Sequence, residues 1–500
     1  MKTFFKLVGF DPEKSQSTVK TEFVAGIVTF LSMAYILTVN PNQIFGSGSE
    51  YWASSFIATA LGAVIGTLLM AFVAKMPLAQ ASGMGLNSML GGLISGYGLY
   101  GKFSPGQAFM LVFISGLFFL ALSLFKIKGK TIRELAFDGM PVSVRSAISV
   151  GIGLFIAYIG FQNAGVIVYN GHTQVGFVDF TNWGDQLVSA EVDPWAAAKT
   201  ATVAIAGLFL ITILERMNVK GAIIAGILGA TAIGIPLGVT DLSILAGNSD
   251  VSWKFWDNFA NFFTRENSVF GSLGSVFTEG LLPEGVSVFT AIMIVMTMSM
   301  IDMFDTMGTI VGCCSSSEIL MDKDGKPRNY SRIMLTDAVA TCAGAMIGTS
   351  TVTTFVESSS GVTAGGRTGL TAFSSACFFF LSMFALPFFA MIPSAAAASA
   401  LIYVGVLMMK NNIKGVDFTT AINATSAFLT ISVMVLSYSI TTGIGVGMLA
   451  YTIMSVIVYF IDLIMAMIKK TNPPKWDVSI VTIIVSIFFV IYFFVPASLF

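Results

Sequence analysis

The chain has 500 residues, of which 55% are hydrophobic and 11% are charged, and its mean hydropathy is +0.83. Soluble globular domains carry roughly 25% charged residues, so this chain cannot cover its surface with groups that water solvates. The net charge of −1 argues against a nucleic-acid partner, because nucleic-acid-binding proteins carry an excess of basic residues. The composition therefore predicts a polytopic integral membrane protein.

The sequence also limits the energy source and the covalent chemistry. It has no Gly-x-x-x-x-Gly-Lys-Ser/Thr loop and no polar block as large as a soluble domain, so uphill transport would run on an ion gradient without a cofactor. Residues 1–20 lack the apolar core of a signal peptide, so we expect no cleaved leader. The 4 cysteines lie in or beside apolar stretches, which favours buried thiols without a disulfide or metal.

Fourteen apolar stretches are candidates for membrane helices, each of which needs about 20 residues. The first seven lie near Thr21–Val39, Phe56–Phe72, Ala81–Ser95, Pro105–Phe125, Val144–Ala164, Ala198–Leu214 and Ala222–Leu237. The second seven lie near Val286–Cys313, Ile333–Gly348, Thr353–Thr368, Leu370–Phe389, Ser394–Met409, Ala421–Ser437 and Thr442–Ala466. A further apolar stretch, Val478–Val495, follows them, and the sequence leaves open whether it spans the membrane.

Lysine and arginine mark one side of this plan. They cluster at the N-terminus, Lys126–Arg133, Arg216–Lys220, Lys323–Arg332, Lys410–Lys414 and Lys469–Lys475. The segment Val166–Trp195 has none of them. Threading the spans in order puts every basic cluster on one side, which predicts a cytoplasmic N-terminus in the cell membrane. The aromatic-rich segment 241–285 then lies outside, as amphipathic helices at the interface.

Fourteen spans divide into two sets of seven. Because seven is odd, the second set enters the membrane from the face opposite to the first, which is the inverted-repeat layout of secondary transporters. The predicted fold is therefore an all-α integral membrane protein with seven-plus-seven inverted repeats.

The third and tenth spans are interrupted at matching positions. Pro77–Asn87 and Thr353–Gly366 break hydrophobic stretches with glycines, hydroxyls and an amide. Non-helical backbone at membrane depth survives only where it lines a cavity or is buried in protein. Short extended pieces are predicted here, and paired interruptions point to the substrate site. The candidate substrate-binding residues of these segments are Gly85, Asn87, Thr354, Glu357 and Ser358. Asn87 could instead cap a helix or bond between helices.

Four acidic residues are predicted within the membrane, where burial is costly unless the group is partnered or protonated. Glu357 lies in the tenth span, Asp302 and Asp305 in the eighth, and Asp337 in the ninth. A carboxyl group away from water can exchange a proton near neutral pH, so all four are candidates for proton coupling. Asp305 is also a candidate substrate ligand. The alternatives are a packing or relay role for Asp302 and a helix cap for Asp337.

Several motifs resemble those of the azaguanine-type purine permeases, a branch of the nucleobase–cation symporter group. The matching runs are Phe23–Pro41, Gly83–Asn87, Ser146–Ala157, Phe304–Thr309 and Thr354–Gly369. The resemblance implies a core domain of spans one to four and eight to eleven, and a gate domain of the other six. It also implies that Asp305 and Glu357 hold the base and that Asn87 is the third-span amide of the site.

The resemblance divides the chain into a tail, two halves of each domain and two further segments. The expected bounds are 1–20 for the tail, 21–125 and 286–390 for the core, 126–240 and 391–468 for the gate, 241–285 for the outer segment and 469–500 for the C-terminal segment. A homodimer in the lipid bilayer is compatible with this plan.

The sequence thus predicts a proton-coupled importer of purine bases, with guanine or hypoxanthine favoured over adenine. Carboxylates would accept ring N–H groups, while Asn87 and backbone N–H groups would meet the acceptors. The main alternative is a carrier of small anions such as sulfate or bicarbonate. An anion site prefers helix N-termini and a basic residue, and Glu357 opposes it. A membrane enzyme is not predicted, since no paired nucleophile and base appears at membrane depth.

Overall fold

The computed structural model describes most of the chain. The described residues are 10, 15–46, 48–96, 103–127, 130–132, 135, 139–170, 174–178, 180, 196–243, 251–264, 268–283, 285–315, 317–322, 327–476 and 478–494. Most of the predicted tail, 1–20, and much of the segment Val166–Trp195 lie outside the described residues.

The first half is helical, with one extended piece inside its third span. Its helices are α1 (Val19–Met33), α2 (Ile36–Phe45), α3 (Trp52–Leu69, continued by a π-helical turn Met70–Ala74), α4 (Met84–Ser95), α5 (Pro105–Leu124), α6 (Val142–Asn163), α7 (Ala196–Arg216) and α8 (Ala222–Gly234). Its strands are β1 (Gln80–Ser82), β2 (Lys126–Ile127) paired with β3 (Lys130–Thr131), and β4 (Ile167–Asn170) paired with β5 (Gln174–Phe177). The two hairpins were not predicted.

The second half repeats the plan after three short helices. These are α9 (Phe255–Thr264), α10 (Val269–Ser272) and α11 (Val276–Glu279). The helices that follow are α12 (Val288–Ser315), α13 (Tyr330–Ile347), α14 (Ser358–Thr363), α15 (Gly369–Ser382), α16 (Leu386–Ala390), α17 (Ser394–Asn412), α18 (Ala421–Leu436), α19 (Ile440–Lys469) and α20 (Ile480–Phe494). The strand β6 (Val352–Thr354) precedes α14, and single 3₁₀ turns occupy Leu273–Ser275, Glu318–Leu320, Met383–Ala385 and Ile413–Gly415.

These elements agree with the predicted spans. Within the described residues, nine helices are long and apolar enough to cross a membrane, and three shorter apolar helices accompany them. The third and tenth spans are each a strand followed by a short helix, β1–α4 and β6–α14, as their interruptions predicted. The prediction of an all-α membrane protein with extended pieces in these two spans is confirmed.

The helices pack as two groups. In one group α17 lies against α6 and α7, and α18 against α6 and α19. In the other, α13 lies against α3 and α5, and α15 against α1 and α3. Contacts between the groups include those of α6 with α4 and α12, and those of α2 with α17. Because each group draws helices from both halves of the chain, the halves are interlocked.

The C-terminal helix α20 lies beyond the fourteen spans and runs antiparallel to α19. Gly445 faces the rings of Phe489 and Phe493, and a Cβ there would lie 2.5 Å from the Phe489 ring. Seven residues farther along α19, the hydroxyls of Thr452 and Ser486 are 2.7 Å apart. The helix α20 therefore lies along α19 over at least two turns.

A buried glutamate joins the first span to the eleventh. Glu22 is fully buried, and its carboxylate accepts hydrogen bonds from the backbone N–H groups of Arg367 and Thr368 (3.0 and 3.2 Å) and from the Thr371 hydroxyl (2.5 Å). These donors lie at the start of α15, whose first N–H groups have no partner within the helix. The carboxylate thus caps a helix of the opposite repeat.

We expect Glu22→Ala to destabilise the folded transporter by about 3 kcal/mol, because three donors, two of them buried, lose a charged acceptor. The measurement is the apparent unfolding temperature in detergent. Glu22→Gln, which keeps one carbonyl acceptor, should fall between wild type and Glu22→Ala. Glu215→Ala, at an exposed acid near the end of α7, is the control. Equal unfolding temperatures for Glu22→Ala and Glu215→Ala would contradict the capping role.

Candidate functional site

The two interrupted spans meet as a pair of strands. β1 and β6 are antiparallel, with Gln80 opposite Thr354 and Ser82 opposite Val352. Two further backbone hydrogen bonds extend the pair, from Gly83 N to Thr351 O (2.8 Å) and from Phe355 N to Ala79 O (3.1 Å). All six strand residues are buried. Pairing satisfies the backbone groups that an interrupted helix leaves open, which explains how this backbone persists inside a membrane protein.

Asp337, an acid of the ninth span, is hydrogen-bonded to one side of the strand pair. Asp337 is fully buried and accepts hydrogen bonds from Gln80 Nε2 (3.2 Å) and the Thr306 hydroxyl (2.9 Å). The Thr306 hydroxyl is also 2.5 Å from that of Thr353. Because α13 begins at Tyr330, Asp337 lies two turns inside the helix, and the alternative that it caps α13 is wrong.

Asp302, on the eighth span, is a second buried acid near the strand pair. It is buried, and its Oδ2 accepts a 3.2 Å hydrogen bond from the Thr341 hydroxyl, which also lies 3.3 Å from the Val352 carbonyl of β6. Asp302 therefore faces the packed side of the eighth span, toward α13 and β6.

The third-span amide lies in a second polar network, formed by hydroxyl and amide groups. Asn87 is fully buried, its Oδ1 accepts hydrogen bonds from Ser82 and Ser350, and its Nδ2 donates to Gln43 Oε1 (3.3 Å). The Ser82 hydroxyl also lies 3.0 Å from Asn40 Oδ1. Gly83 is the N-cap of α4, so Asn87 is not the cap, and its amide joins the third span to the first.

A cavity of about 310 Å³ lies beside the strand pair, between the two groups of helices. This volume is at the lower end of the range of about 300–1,000 Å³ found for small-molecule sites. One group contributes Met84, Gly85, Asp305, Thr309, Thr354, Phe355, Val356, Glu357 and Ser359. The other contributes Ser149, Ile156, Val404, Met408, Asn411 and Asn412. The cavity therefore extends to the end of α17 that carries Lys410 and is followed by Lys414 in the next turn, the predicted cytoplasmic side.

Glu357 is the N-cap residue of α14, at the junction between the extended piece and the helix. It is 5% exposed, and its Oε1 accepts a 2.6 Å hydrogen bond from the Tyr35 hydroxyl. Its Oε2 is buried without a hydrogen-bond partner in the described part of the chain. An orphaned carboxylate oxygen beside a cavity is unusual, since buried polar atoms are nearly always paired.

Asp305 is the second carboxylate of the cavity. It lies on α12, and the described residues offer it no hydrogen bond. The lining hydroxyls of Ser149, Thr309 and Ser359 likewise have no hydrogen-bond partner among the residues that the structure describes. The cavity thus holds two carboxylates and several hydroxyls that can pair with a polar solute.

The structure brings four of the six predicted substrate-binding residues to this cavity: Gly85, Asp305, Thr354 and Glu357. Asn87 and Ser358 do not line it. Ser358 turns the other way and accepts a 3.0 Å hydrogen bond from Ala79 N, which fastens the start of α14 to the first half. Of the four predicted proton-coupling acids, Asp305 and Glu357 line the cavity. Asp337 bonds to Gln80 of β1, and Asp302 bonds to Thr341 of α13, beside β6.

Four residues at the site were not predicted from the sequence: Tyr35, Ser149, Asn411 and Asn412. Tyr35 stands inside the first motif of the resemblance, so its polar hydroxyl in an apolar span was a usable signal. Ser149 is one hydroxyl among many in apolar spans, and most of these bond to their own helix, as Ser123 does to Phe119 O (2.9 Å). Nothing in the sequence separates Ser149 from them.

A family model described as Permease family (Xan_ur_permease) matches residues 20–446. The adenine permease AdeQ of Escherichia coli K12 is 34% identical over 443 residues, 88% of each chain. The guanine/hypoxanthine permease PbuO of Bacillus subtilis is 32% identical over 449 residues, 89% of this chain and 93% of its own length. The putative permease MJ0326 of Methanocaldococcus jannaschii is 35% identical over 447 residues, 89% and 92% of the two chains.

Solved structures share the fold at much lower identity. The transmembrane domain of the cyanobacterium bicarbonate transporter BicA superposes with a TM-score of 0.56 and 15% identity, covering 85% of this chain and 96% of that one. The murine anion transporter Slc26a9 gives a TM-score of 0.52 and 11% identity, covering 88% and 68%. These likenesses confirm the seven-plus-seven inverted-repeat transporter fold and carry no information about the substrate.

Proposed function

The chain belongs to the Permease family, as its sequence motifs predicted, and we propose that it imports purine nucleobases together with protons. It is a multi-pass membrane transporter and not an enzyme. Relatives named for adenine and for guanine/hypoxanthine match it over nearly their whole length at 32–34% identity, which supports a purine substrate. The positive-inside pattern supports a cell-membrane transporter with a cytoplasmic N-terminus.

The observation that carries the proposal is the unpartnered Oε2 of Glu357 beside a cavity that also holds Asp305. A purine is planar, with N–H donors and C=O or ring-nitrogen acceptors along its edges. Carboxylates would accept its N–H groups, and hydroxyls such as that of Ser359 would donate to its acceptors.

The same cavity disfavours the anion alternative. Two carboxylates line it, and no basic side chain is present among the lining residues that the structure describes. A bound sulfate or bicarbonate would face like charge without compensation.

Guanine or hypoxanthine fits this chemistry better than adenine. Both carry an N1–H donor next to a C6 carbonyl, whereas adenine presents an acceptor at N1. A carboxylate such as that of Glu357 can accept from N1–H but would repel an acceptor there. Adenine remains the second candidate within the same family.

We propose that transport occurs by alternating access, in which the site opens first to one side of the membrane and then to the other. The cavity lies between the two groups of helices, which we propose are the core and gate domains of the resemblance. A second cavity of about 240 Å³ lies at the other end of their interface and includes Val39, Asn163 and Leu401 in its lining. Leu401 and Val404, which line the two cavities, are one helical turn apart on α17, so the seal between the cavities is thin. A modest movement of core against gate would then transfer the site from one face to the other.

Coupling to protons is proposed for Asp305. A proton on this carboxyl would remove a buried charge before the core moves past the gate. Asp302 and Asp337 face the packed interior, and we assign them the structural task of holding β1 and β6.

Uptake by cells lacking their own purine permeases tests the proposal. We expect accumulation of labelled guanine, competition by unlabelled hypoxanthine, weaker competition by adenine and none by uracil. A protonophore should abolish accumulation. Competition by sulfate but not by guanine would overturn the substrate class, and accumulation that survives the protonophore would overturn proton coupling.

A further inference from the structure

Tyr35 is a buried residue of the first span that touches the site without lining it. Its side chain is fully buried, and its hydroxyl donates a 2.6 Å hydrogen bond to Glu357 Oε1. It is not among the residues that line the cavity. The two residues are 322 positions apart, so the contact joins the first half of the chain to the second.

The backbone of the first span turns at this position. α1 ends at Met33 and α2 begins at Ile36. At the start of α2, the N–H groups of Leu37 and Thr38 bond to the carbonyls of Ala34 and Tyr35, three residues earlier, at 3.2 and 3.1 Å. A tightened turn of this kind changes the direction of the side chains relative to a continuous α-helix. Since α1 packs against α14, the turn brings the Tyr35 hydroxyl to the N-cap of α14.

The hydrogen bond makes the two oxygens of Glu357 different. Oε1 accepts from Tyr35, while Oε2 has no partner within the described residues. A side chain held through one oxygen loses rotational freedom, so the other oxygen is fixed in place before a solute arrives. Fixing an acceptor in advance strengthens binding, because the entropy of ordering it is not lost on binding.

We infer that Tyr35 is a positioning residue, which orients Glu357 so that Oε2 is the oxygen presented to an N–H group of the transported base. This inference rests on the proposed function, since it names the partner of the carboxylate as a nucleobase.

The arrangement also separates the two carboxylates by role. The hydroxyl oxygen of a protonated carboxyl is a poor acceptor, so the bond from Tyr35 keeps Oε1 as the carbonyl-type oxygen. A proton on Glu357 would then occupy Oε2 and compete there with the N–H of the base. Glu357 therefore serves the base, and the transported proton is carried by Asp305.

The alternative is that Tyr35 only fills space in the core. The variant Tyr35→Phe distinguishes the space-filling role from the positioning role, because it keeps the ring and removes the hydroxyl. A space-filling role predicts no change in affinity. A positioning role predicts that KM for guanine rises about tenfold while Vmax stays within twofold, since a hydrogen bond to a charged group is lost and the transport step is untouched. KM does not depend on how much transporter reaches the membrane, so reduced expression cannot imitate this result.

The closing experiment measures KM and Vmax for hypoxanthine and for hypoxanthines methylated at one ring nitrogen each, in full-length wild type and Tyr35→Phe. In wild type, the methylation with the largest effect on KM identifies the N–H that Glu357 accepts. The quantity compared is the KM of that methylated base divided by the KM of hypoxanthine. In Tyr35→Phe this ratio should shrink several-fold, whereas a general structural defect would raise every KM equally and leave the ratio unchanged. Tyr51→Phe, whose ring stacks on Phe45 at 5.1 Å, is the control and should behave as wild type.

The outcomes distinguish the two proposals. Wild type that takes up no purine refutes the proposed function, and the role of Tyr35 falls with it. Wild-type uptake together with an unchanged KM and an unchanged methylation ratio in Tyr35→Phe refutes the positioning role alone.

Discussion

Glu357→Gln is expected to reduce uptake of labelled guanine at low substrate concentration by about a hundredfold. The substitution keeps the volume of the side chain but replaces one acceptor oxygen with an NH₂ donor. If the amide oxygen accepts from Tyr35, the NH₂ group occupies the place of Oε2 and confronts the N–H of the base. The opposite orientation sets the NH₂ group against the Tyr35 hydroxyl. Losing a charge-assisted bond and leaving buried donors unpaired accounts for about 3 kcal/mol, which is a factor of roughly 100.

The measurement is the initial uptake rate, normalised to the amount of transporter in the membrane. Thr363→Ala is the matched control, because it removes a polar side chain from the exposed end of the same short helix. It should transport within twofold of wild type. Uptake by Glu357→Gln at more than a tenth of the wild-type rate would show that this carboxylate does not hold the base.

Asp305→Asn is expected to separate transport from its energy source. Asparagine resembles a permanently protonated aspartate in shape and charge, so the core can still pass the gate but no proton is released. Labelled guanine should therefore exchange with unlabelled guanine across the membrane, while accumulation against a gradient disappears. An exchange assay in preloaded vesicles and an accumulation assay in energised vesicles report the two activities separately.

Asp417→Asn is the control for this experiment. Asp417 lies in the segment between α17 and α18, where hydrogen bonds from the side chain and backbone of Thr419 hold the pKa of its carboxyl below the usual value. It therefore stays charged through the neutral range and cannot carry a proton in transport. Its substitution should leave accumulation intact. Accumulation that persists in Asp305→Asn would place the coupling proton on another group.

Much of the fold follows from local sequence properties. Long apolar stretches predict helices, because a membrane helix satisfies its own backbone hydrogen bonds. The odd number of spans in each half predicts the inverted repeat. The interruptions of the apolar stretches at Pro77–Asn87 and Thr353–Gly366 predict where the helices break, and β1 and β6 lie near the start of those segments. The acids of the eighth and tenth spans could also be predicted as site residues, because a carboxylate within the membrane is energetically costly and usually has a functional role.

The sequence by itself thus determined the architecture and the pair of carboxylates that share the cavity. It could not determine which polar side chains turn toward that cavity and which bond to one another. Asn87 and Ser358 lie within the predicted segments, but strand pairing directs them into buried hydrogen bonds, whereas Tyr35 reaches Glu357 from a different span. These assignments depend on contacts between residues hundreds of positions apart. Only the tertiary structure decides them, because hydrogen bonds are short and directional and form only after the chain has folded.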